Sequence, residues 1–327
     1  MRLILVLVLA LLGGCVASQT SREPVDLEAW SAVLPARLRF DVSELSGQYP
    51  GRHASDLPRL EASAEWLKSR LDSLGVAYRV EPFEFEWDGN TLTVENIVVD
   101  VAGTSSPRDV VVIGAHYDSV PQTPGADDNA SGVAMNLALI AYFMDRPQPA
   151  TLRFEFYPNE EAGGYWSRRE WGSLRRAEAA VEAGENVIGM LSLEMLGFYT
   201  PDPVQPIVTG LTAAMGIETP ADERFVAVAS LPEHAAFVDR VAAAWEGPIP
   251  ALGVASRLAV AYAQRSDNWS YWQAGIPAAI VTDTSELRNP NYHKPTDTAD
   301  TLDYDAMAAV TRTLVGVIEE LASAPAN

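Results

Sequence analysis

Between Val110 and Gly132 the chain reads as a buried strand, a Pro/Gly loop and the start of an apolar helix. Val110 to Ala115 is an apolar, mostly β-branched run bounded by turn residues, which suits an inner strand of a parallel sheet. His116 and Asp118 follow at its carboxyl end. In an extended chain they point to the same side, because strand side chains alternate. The loop from Ser119 to Gly125 then delivers Asp127 and Asp128 to the helix start. Ligands of open α/β sheets sit at the carboxyl ends of strands, so this stretch puts an imidazole and carboxylates where such a fold does its chemistry. A lone His-x-Asp has an ordinary reading too, as a hydrogen-bonded pair, and the rest of the chain decides between them.

The remaining pattern alternates strands and helices. Leu57, Leu60, Ala64, Leu67, Leu71 and Leu74 follow helical spacing and end at Gly75, predicting an amphipathic helix with a glycine stop. Val76–Glu86 and Thr91–Val101 flank Asp88-Gly89-Asn90 and read as a hairpin. A helix is predicted from Ser131 to Phe143, and strands over Thr151–Tyr157, Val187–Leu193, Phe225–Ala229 and Ala278–Thr282. A helix from Pro232 to Trp245 and a closing helix striped by Met307, Val310, Leu314, Val317 and Leu321 complete the pattern. Such alternation predicts an α/β fold in three layers, a mixed, mostly parallel sheet with helices on both faces. The flanks of the less regular stretch from Pro201 to Ala263 read as walls of an active site.

In Met1–Gly14 one basic residue, Arg2, is followed by ten apolar ones, Leu3 to Leu12, a run too short to span a bilayer and shaped like an export signal. Leu12-Gly13-Gly14-Cys15 resembles a bacterial lipobox, which implies lipidation of Cys15, the single cysteine of the chain. The expected organisation is a signal peptide over 1–14, a tether over 15–31 and one catalytic domain over 32–327. The expected location is an exported bacterial lipoprotein held to a membrane only through Cys15, facing the periplasm or exterior. A formal charge of −21 argues against nucleic acid as a partner.

Titratable residues gather at strand ends and the loops after them: His116, Asp118, Asp127, Asp128, Glu160, Glu161, Glu194 and His293. Paired glutamates usually mark a solvated turn, but Glu194 ends an apolar strand, where a buried carboxylate needs a cation. One imidazole and one terminal carboxylate per ion, plus one shared carboxylate, make a two-metal site suited to zinc. A further carboxylate can take a proton from water activated between the ions.

At this point the motifs resemble those of the zinc-dependent exopeptidases of peptidase family M28. The matching segments are Gly-Ala-His-Tyr-Asp (114–118), Gly-Ala-Asp-Asp-Asn-Ala-Ser-Gly (125–132), Asn-Glu-Glu (159–161), Ser-Leu-Glu-Met (192–195), Arg-Ser-Asp-Asn-Trp-Ser-Tyr-Trp (265–272), Ala-Gly-Ile-Pro-Ala (274–278) and Asn-Tyr-His-Lys-Pro-Thr-Asp-Thr (291–298). The pair Gly51-Arg52 also resembles the family's N-terminal region. The resemblance implies two zinc ions, one on His116 and Glu194, the other on Glu161 and His293, bridged by Asp127. It implies Glu160 as general base and acid, Asp118 as the group that orients His116, and Tyr292 as donor to the oxyanion. It also implies a cis peptide after the bridging aspartate, here Asp127–Asp128. Glu194 stands where many members have Asp, and Asn268 where the family usually has His. The implied activity is aminopeptidase action on peptides with a free N-terminus, through a metal-bridging hydroxide. A glutaminyl-peptide cyclotransferase of the same fold, with one zinc, and a non-enzymatic scaffold are the competing readings. Retention of both ion sites and of Glu160 favours hydrolysis.

Overall fold

The computed structural model describes residues 26–162, 168–199, 206–216, 218 and 224–323. The signal peptide, Cys15 and most of the expected tether lie outside the described residues. The tether's last residues do not behave as one. Helix α1 spans Leu27–Gln48, capped by the Asp26 side chain, which accepts the Ala29 N–H at 3.0 Å. Trp30, Leu34, Leu38, Val42 and Leu45 form its buried stripe, so residues 27–31 are structural.

The remaining helices are α2 (Leu57–Leu74), α3 (Gly132–Phe143), α4 (Gly172–Glu182), α5 (Pro206–Ala214), α6 (Ala235–Ala243), α7 (Val260–Ala263), α8 (Asn268–Gln273) and α9 (Tyr304–Ser323). The stripe that predicted α2 is buried at Leu60, Ala64, Leu67 and Leu71. Each leucine there contributes about 1.5–3 kcal/mol by leaving water. Gly75 ends α2 in the left-handed region, φ 70°, where glycine carries no Cβ penalty. Among the described residues no helix is long and apolar enough to cross a membrane.

The strands are β1 (Arg79–Trp87), β2 (Asn90–Val101), β3 (Ser106–His116), β4 (Ala150–Tyr157), β5 (Asn186–Glu194), β6 (Val226–Ser230), β7 (Ala251–Ala255) and β8 (Ala278–Thr282). They form one sheet in the order β1-β2-β4-β3-β5-β8-β6-β7. The centre, β4-β3-β5-β8, is parallel, whereas β1 and β2 form the predicted antiparallel hairpin and β6 runs antiparallel to β8. Strand alternation sends Val111, Ile113 and Ala115 into one core with α1, α2, α3, α6 and α9. Val110 and Val112 face the other core, with α4, α5 and α8. A strand buried on both faces needs an unbroken apolar run, which is what made β3 legible.

Candidate metal centre

The carboxyl ends of the four central strands meet at one place. His116 ends β3, Glu160 and Glu161 follow β4, Glu194 ends β5, and His293 lies in the loop after β8. Asp128 sits between them, in a tight helical turn over Ala126–Ser131 just before α3. Gly125 enters that turn at φ 61°, and a Cβ there would lie 2.5 Å from the Asp128 carbonyl oxygen, so the turn requires glycine.

Two groups of ligand atoms result, His116 with Asp128 and Glu194, and Asp128 with Glu161 and His293, each within 4.8 Å. His116 Nε2 lies 3.4 Å from Asp128 Oδ1 and 3.2 Å from Glu194 Oε2. His293 Nε2 lies 3.1 Å from both Asp128 Oδ2 and Glu161 Oε1. Asp128 therefore offers one oxygen to each group. His116 Nε2 and Glu161 Oε1 are buried and accept or donate no hydrogen bond in the protein. Buried polar atoms are ordinarily paired, and a nitrogen and an oxygen left bare between carboxylates and imidazoles suit a divalent cation such as zinc.

The expected bridging residue, Asp127, is not at the junction. Its Oδ1 accepts the Gly197 N–H at 2.8 Å and its Oδ2 accepts Asn289 Nδ2 at 2.6 Å, so both oxygens are committed away from the histidines. The chain direction in the turn decides between the two neighbouring aspartates. The cis bond shifts in step: it joins Asp128 and Asn129, not Asp127 and Asp128. Asp297, from the last matching segment, fastens the turn by accepting the Asp127 N–H at 2.9 Å and the Asp128 N–H at 3.2 Å.

Asp118 stands behind His116, Oδ1 3.3 Å from Nδ1, and also accepts the Glu160 and Glu161 N–H groups at 3.3 and 3.0 Å. One carboxylate thus sets the ring and the loop after β4. Ser266 donates to Glu194 Oε2 at 2.7 Å, a support the sequence reading did not single out although it lies in a matching segment. Asn268 lies buried and donates to the Ala263 carbonyl at 2.7 Å, holding backbone. Tyr292 stacks on His293, ring centroids 3.7 Å apart.

Arg52 is fully buried beneath the centre. Its Nε donates to the Tyr117 carbonyl at 2.6 Å, and Nη1 and Nη2 donate to the Pro124 and Gly125 carbonyls at 2.7 and 2.8 Å. It pins both ends of the loop between His116 and Asp128. Burial lowers its pKa to about 10, against the upward pull of Asp118, Asp297, Asp128 and Glu161. The adjacent His53 is buried and packs edge-on against Trp87. Its Nε2 lies 3.2 Å from the Glu161 carbonyl oxygen.

The electrostatics follow from crowding. Burial alone would lower the His116 pKa, but Glu194 and Glu160 hold it well above its ordinary value. Burial also opposes protonation of His293, yet Asp128 and Glu161 raise it to about 10. Asp128 is pulled down by both histidines despite its burial. Burial lifts Glu160 well above the carboxylate range, against His116, and lifts Glu161 to about 7 with help from Asp128. Burial and then Asp283 raise Asp127.

A cavity of about 240 Å³ opens beside the centre. Glu160, Glu161, Glu194, Tyr292 and His293 line one end, and the other is apolar, with Val208, Met215, Leu252, Val254 and Ile280. Val208, Thr212 and Met215 near one flank of the 201–263 stretch and Ala259, Tyr262 and Ala263 at the other line the cavity, and Ala227 and Ala229 from the strand inside do so too.

A family model described as "Peptidase family M28" matches residues 96–318, more than half of the chain. The uncharacterised Escherichia coli protein YfbL is 32% identical over 286 residues, 84% of this chain and 85% of YfbL. A probable lipoprotein aminopeptidase of Mycobacterium tuberculosis, LpqL, is 30% identical over 64% of this chain and 42% of its own length. Among solved structures, an aminopeptidase from Aneurinibacillus sp. superposes with a TM-score of 0.69 at 17% identity, covering 92% of this chain and 99% of that one. The Porphyromonas gingivalis glutaminyl cyclase superposes at 0.63 with 19% identity, covering 88% and 98%. At such identities the two superpositions establish the shared fold.

Proposed function

Because the chain belongs to peptidase family M28, we propose that it is a two-zinc aminopeptidase, holding one ion on His116, Asp128 and Glu194 and the other on Asp128, Glu161 and His293. The observation that carries this is Asp128, whose two oxygens face the two histidines at 3.4 and 3.1 Å. Zinc bound there would activate a water and polarise the scissile carbonyl. Glu160, buried on the cavity wall, takes a proton from the attacking water and passes it to the leaving amine. Asp118 fixes the His116 ring, as a carboxylate behind a ligating imidazole does. Tyr292 donates to the carbonyl oxygen as charge builds on it.

Glu160 and Glu194 share the cavity with an apolar lining. Their carboxylates receive the free amine of the substrate, and its first side chain enters the apolar end. A large apolar first residue gains most there, since each buried methylene contributes about 0.8 kcal/mol. The second triad is complete, which weighs against the one-zinc cyclotransferase reading. Cys15 directly after Leu12-Gly13-Gly14 supports an exported lipoprotein, and the similarity to LpqL agrees with it.

The test is zinc analysis of the purified protein with mass spectrometry of products from a peptide panel. Two zinc ions per chain are expected. Free-amine peptides beginning with Leu or Met should lose that residue, and their N-acetyl forms should not. Cleavage of blocked peptides, release from the C-terminus, or ammonia loss from Gln-starting peptides without shortening would overturn the proposal.

A further inference from the structure

We propose that Arg265 is the positioning residue of Tyr292, fixing the direction in which the phenol donates its proton; this rests on the aminopeptidase reading above. Arg265 Nη2 donates to the Tyr292 phenolic oxygen at 3.0 Å. Its Nη1 pairs with the Glu286 carboxylate, and its guanidinium carbon lies 5.7 Å from the centroid of the Tyr292 ring. The ring also stacks against His293, centroids 3.7 Å apart and planes 22° apart. The ring thus meets both a cation and a candidate zinc ligand, and Arg265, Glu286, Tyr292 and His293 all line one cavity.

A hydroxyl has one proton to give and two lone pairs to offer. Arginine has only donors, so it must occupy a lone pair. With that pair taken, the phenol's own proton is turned from the guanidinium and remains for another acceptor. No described residue accepts it. Tyr292 lines the cavity together with Glu160, Glu161, Glu194 and His293. The phenol therefore stands at the metal end of the cavity with its donor unspent. A carbonyl oxygen gaining negative charge is the acceptor this arrangement suits, and a donor set beforehand needs no reorganisation during the reaction. Glu286 completes the device, since its carboxylate holds the guanidinium that Tyr292 must meet.

The alternative role for Arg265 is plain wall-building, and a double-variant cycle separates the two. Tyr292→Phe should cost roughly 10²–10³-fold in kcat, as loss of an oxyanion donor does. Arg265→Met should cost about 10–100-fold, the scale for removing a group that orients a catalytic one, with KM changed by less than about twofold. The double variant should be no slower than Tyr292→Phe alone. In calorimetry, a peptide-derived aminoboronic acid, which mimics the tetrahedral centre, should bind Arg265→Met weaker by the factor lost in kcat. Binding of free leucine should not change. Because Arg265 is part-exposed, millimolar guanidinium should restore part of the activity of Arg265→Gly and none in the Tyr292→Phe background. Multiplying losses in the double variant, a loss confined to KM, or equal weakening of leucine and the boronic acid would overturn the role of Arg265. Wild-type protein that binds zinc and turns over no free-amine peptide would instead overturn the aminopeptidase reading beneath it.

Discussion

Asparagine at position 127 and asparagine at position 128 should give opposite phenotypes. Asp127 receives two donors, the Gly197 N–H at 2.8 Å and Asn289 Nδ2 at 2.6 Å. An asparagine there has one accepting oxygen, so one of these donors would face an amide NH₂. Asn289 cannot simply flip, because its Oδ1 accepts the Asn291 N–H at 2.9 Å. A buried donor left unpaired costs about 1–3 kcal/mol. Removing the carboxylate also removes repulsion from Asp283, which raises the Asp127 pKa after burial, and offsets part of that cost. The expected net loss is about 1 kcal/mol, a fall in Tm of about 1–2 °C for a domain of this size, with two zinc ions still bound. Asp128→Asn should strip zinc, and in chelator it also loses the charge that raises the His293 pKa, so zinc content is what separates it from Asp127→Asn. Its amide offers an oxygen to one histidine and an NH₂ to the other, and the charge shared by both sites disappears. Even outer partners of ligands carry about 10–100-fold in metal affinity, so loss of a shared ligand should exceed that. The assays are thermal melts in chelator and zinc content after dialysis against buffered zinc. Zinc lost from Asp127→Asn but retained by Asp128→Asn would refute the assignment.

Three further outcomes are expected. Glu160→Gln should keep its zinc and lose roughly 10²–10⁴-fold in turnover, checked by metal analysis beside kcat; near-normal turnover removes Glu160 from the mechanism. The His293 pKa is raised to about 10 in the protein alone, so its protonated form stabilises the fold fully below about pH 6.5, and that stabilisation is lost as pH climbs through about 10. Zinc needs the neutral ring, so its affinity should rise with pH across that window and its binding at pH 7 should release protons, read by calorimetry in buffers of different ionisation heat. Cys15→Ser should move the protein from the membrane to the soluble fraction with its Tm unchanged, as fractionation and melting would show.

Elements whose burial is written in one-dimensional pattern were legible: α2 from its stripe and glycine stop, the hairpin from its turn, β3 and β5 from apolar runs ending in candidate ligands, and β8 from its apolar run. Helix α1 was missed although Trp30, Leu34, Leu38, Val42 and Leu45 recur every three or four residues, because the polar stretch before it set the expectation of a tether and Pro35 interrupts it. At the site, the structure brings His116, Glu161, Glu194 and His293 together around Asp128. The choice between Asp127 and Asp128 was not legible, since neighbouring residues in an irregular turn point apart according to backbone angles that composition does not reveal. Nor was the path of the Arg52 side chain, which meets carbonyls 65 to 73 residues away.

That path bears on where the protein can be cut. The family model begins at residue 96, and a chain trimmed to it would discard Arg52 while keeping the loop it holds. The Tyr117 and Pro124 carbonyls would lose their donor together, at about 1–3 kcal/mol for each left buried and unpaired, and the Gly125 carbonyl would keep only the Ala130 N–H at 3.2 Å. Whole domains are stable by only about 5–15 kcal/mol. The smallest autonomous unit must therefore reach back past position 52, and one that also keeps the apolar stripe of α1 must start before Trp30.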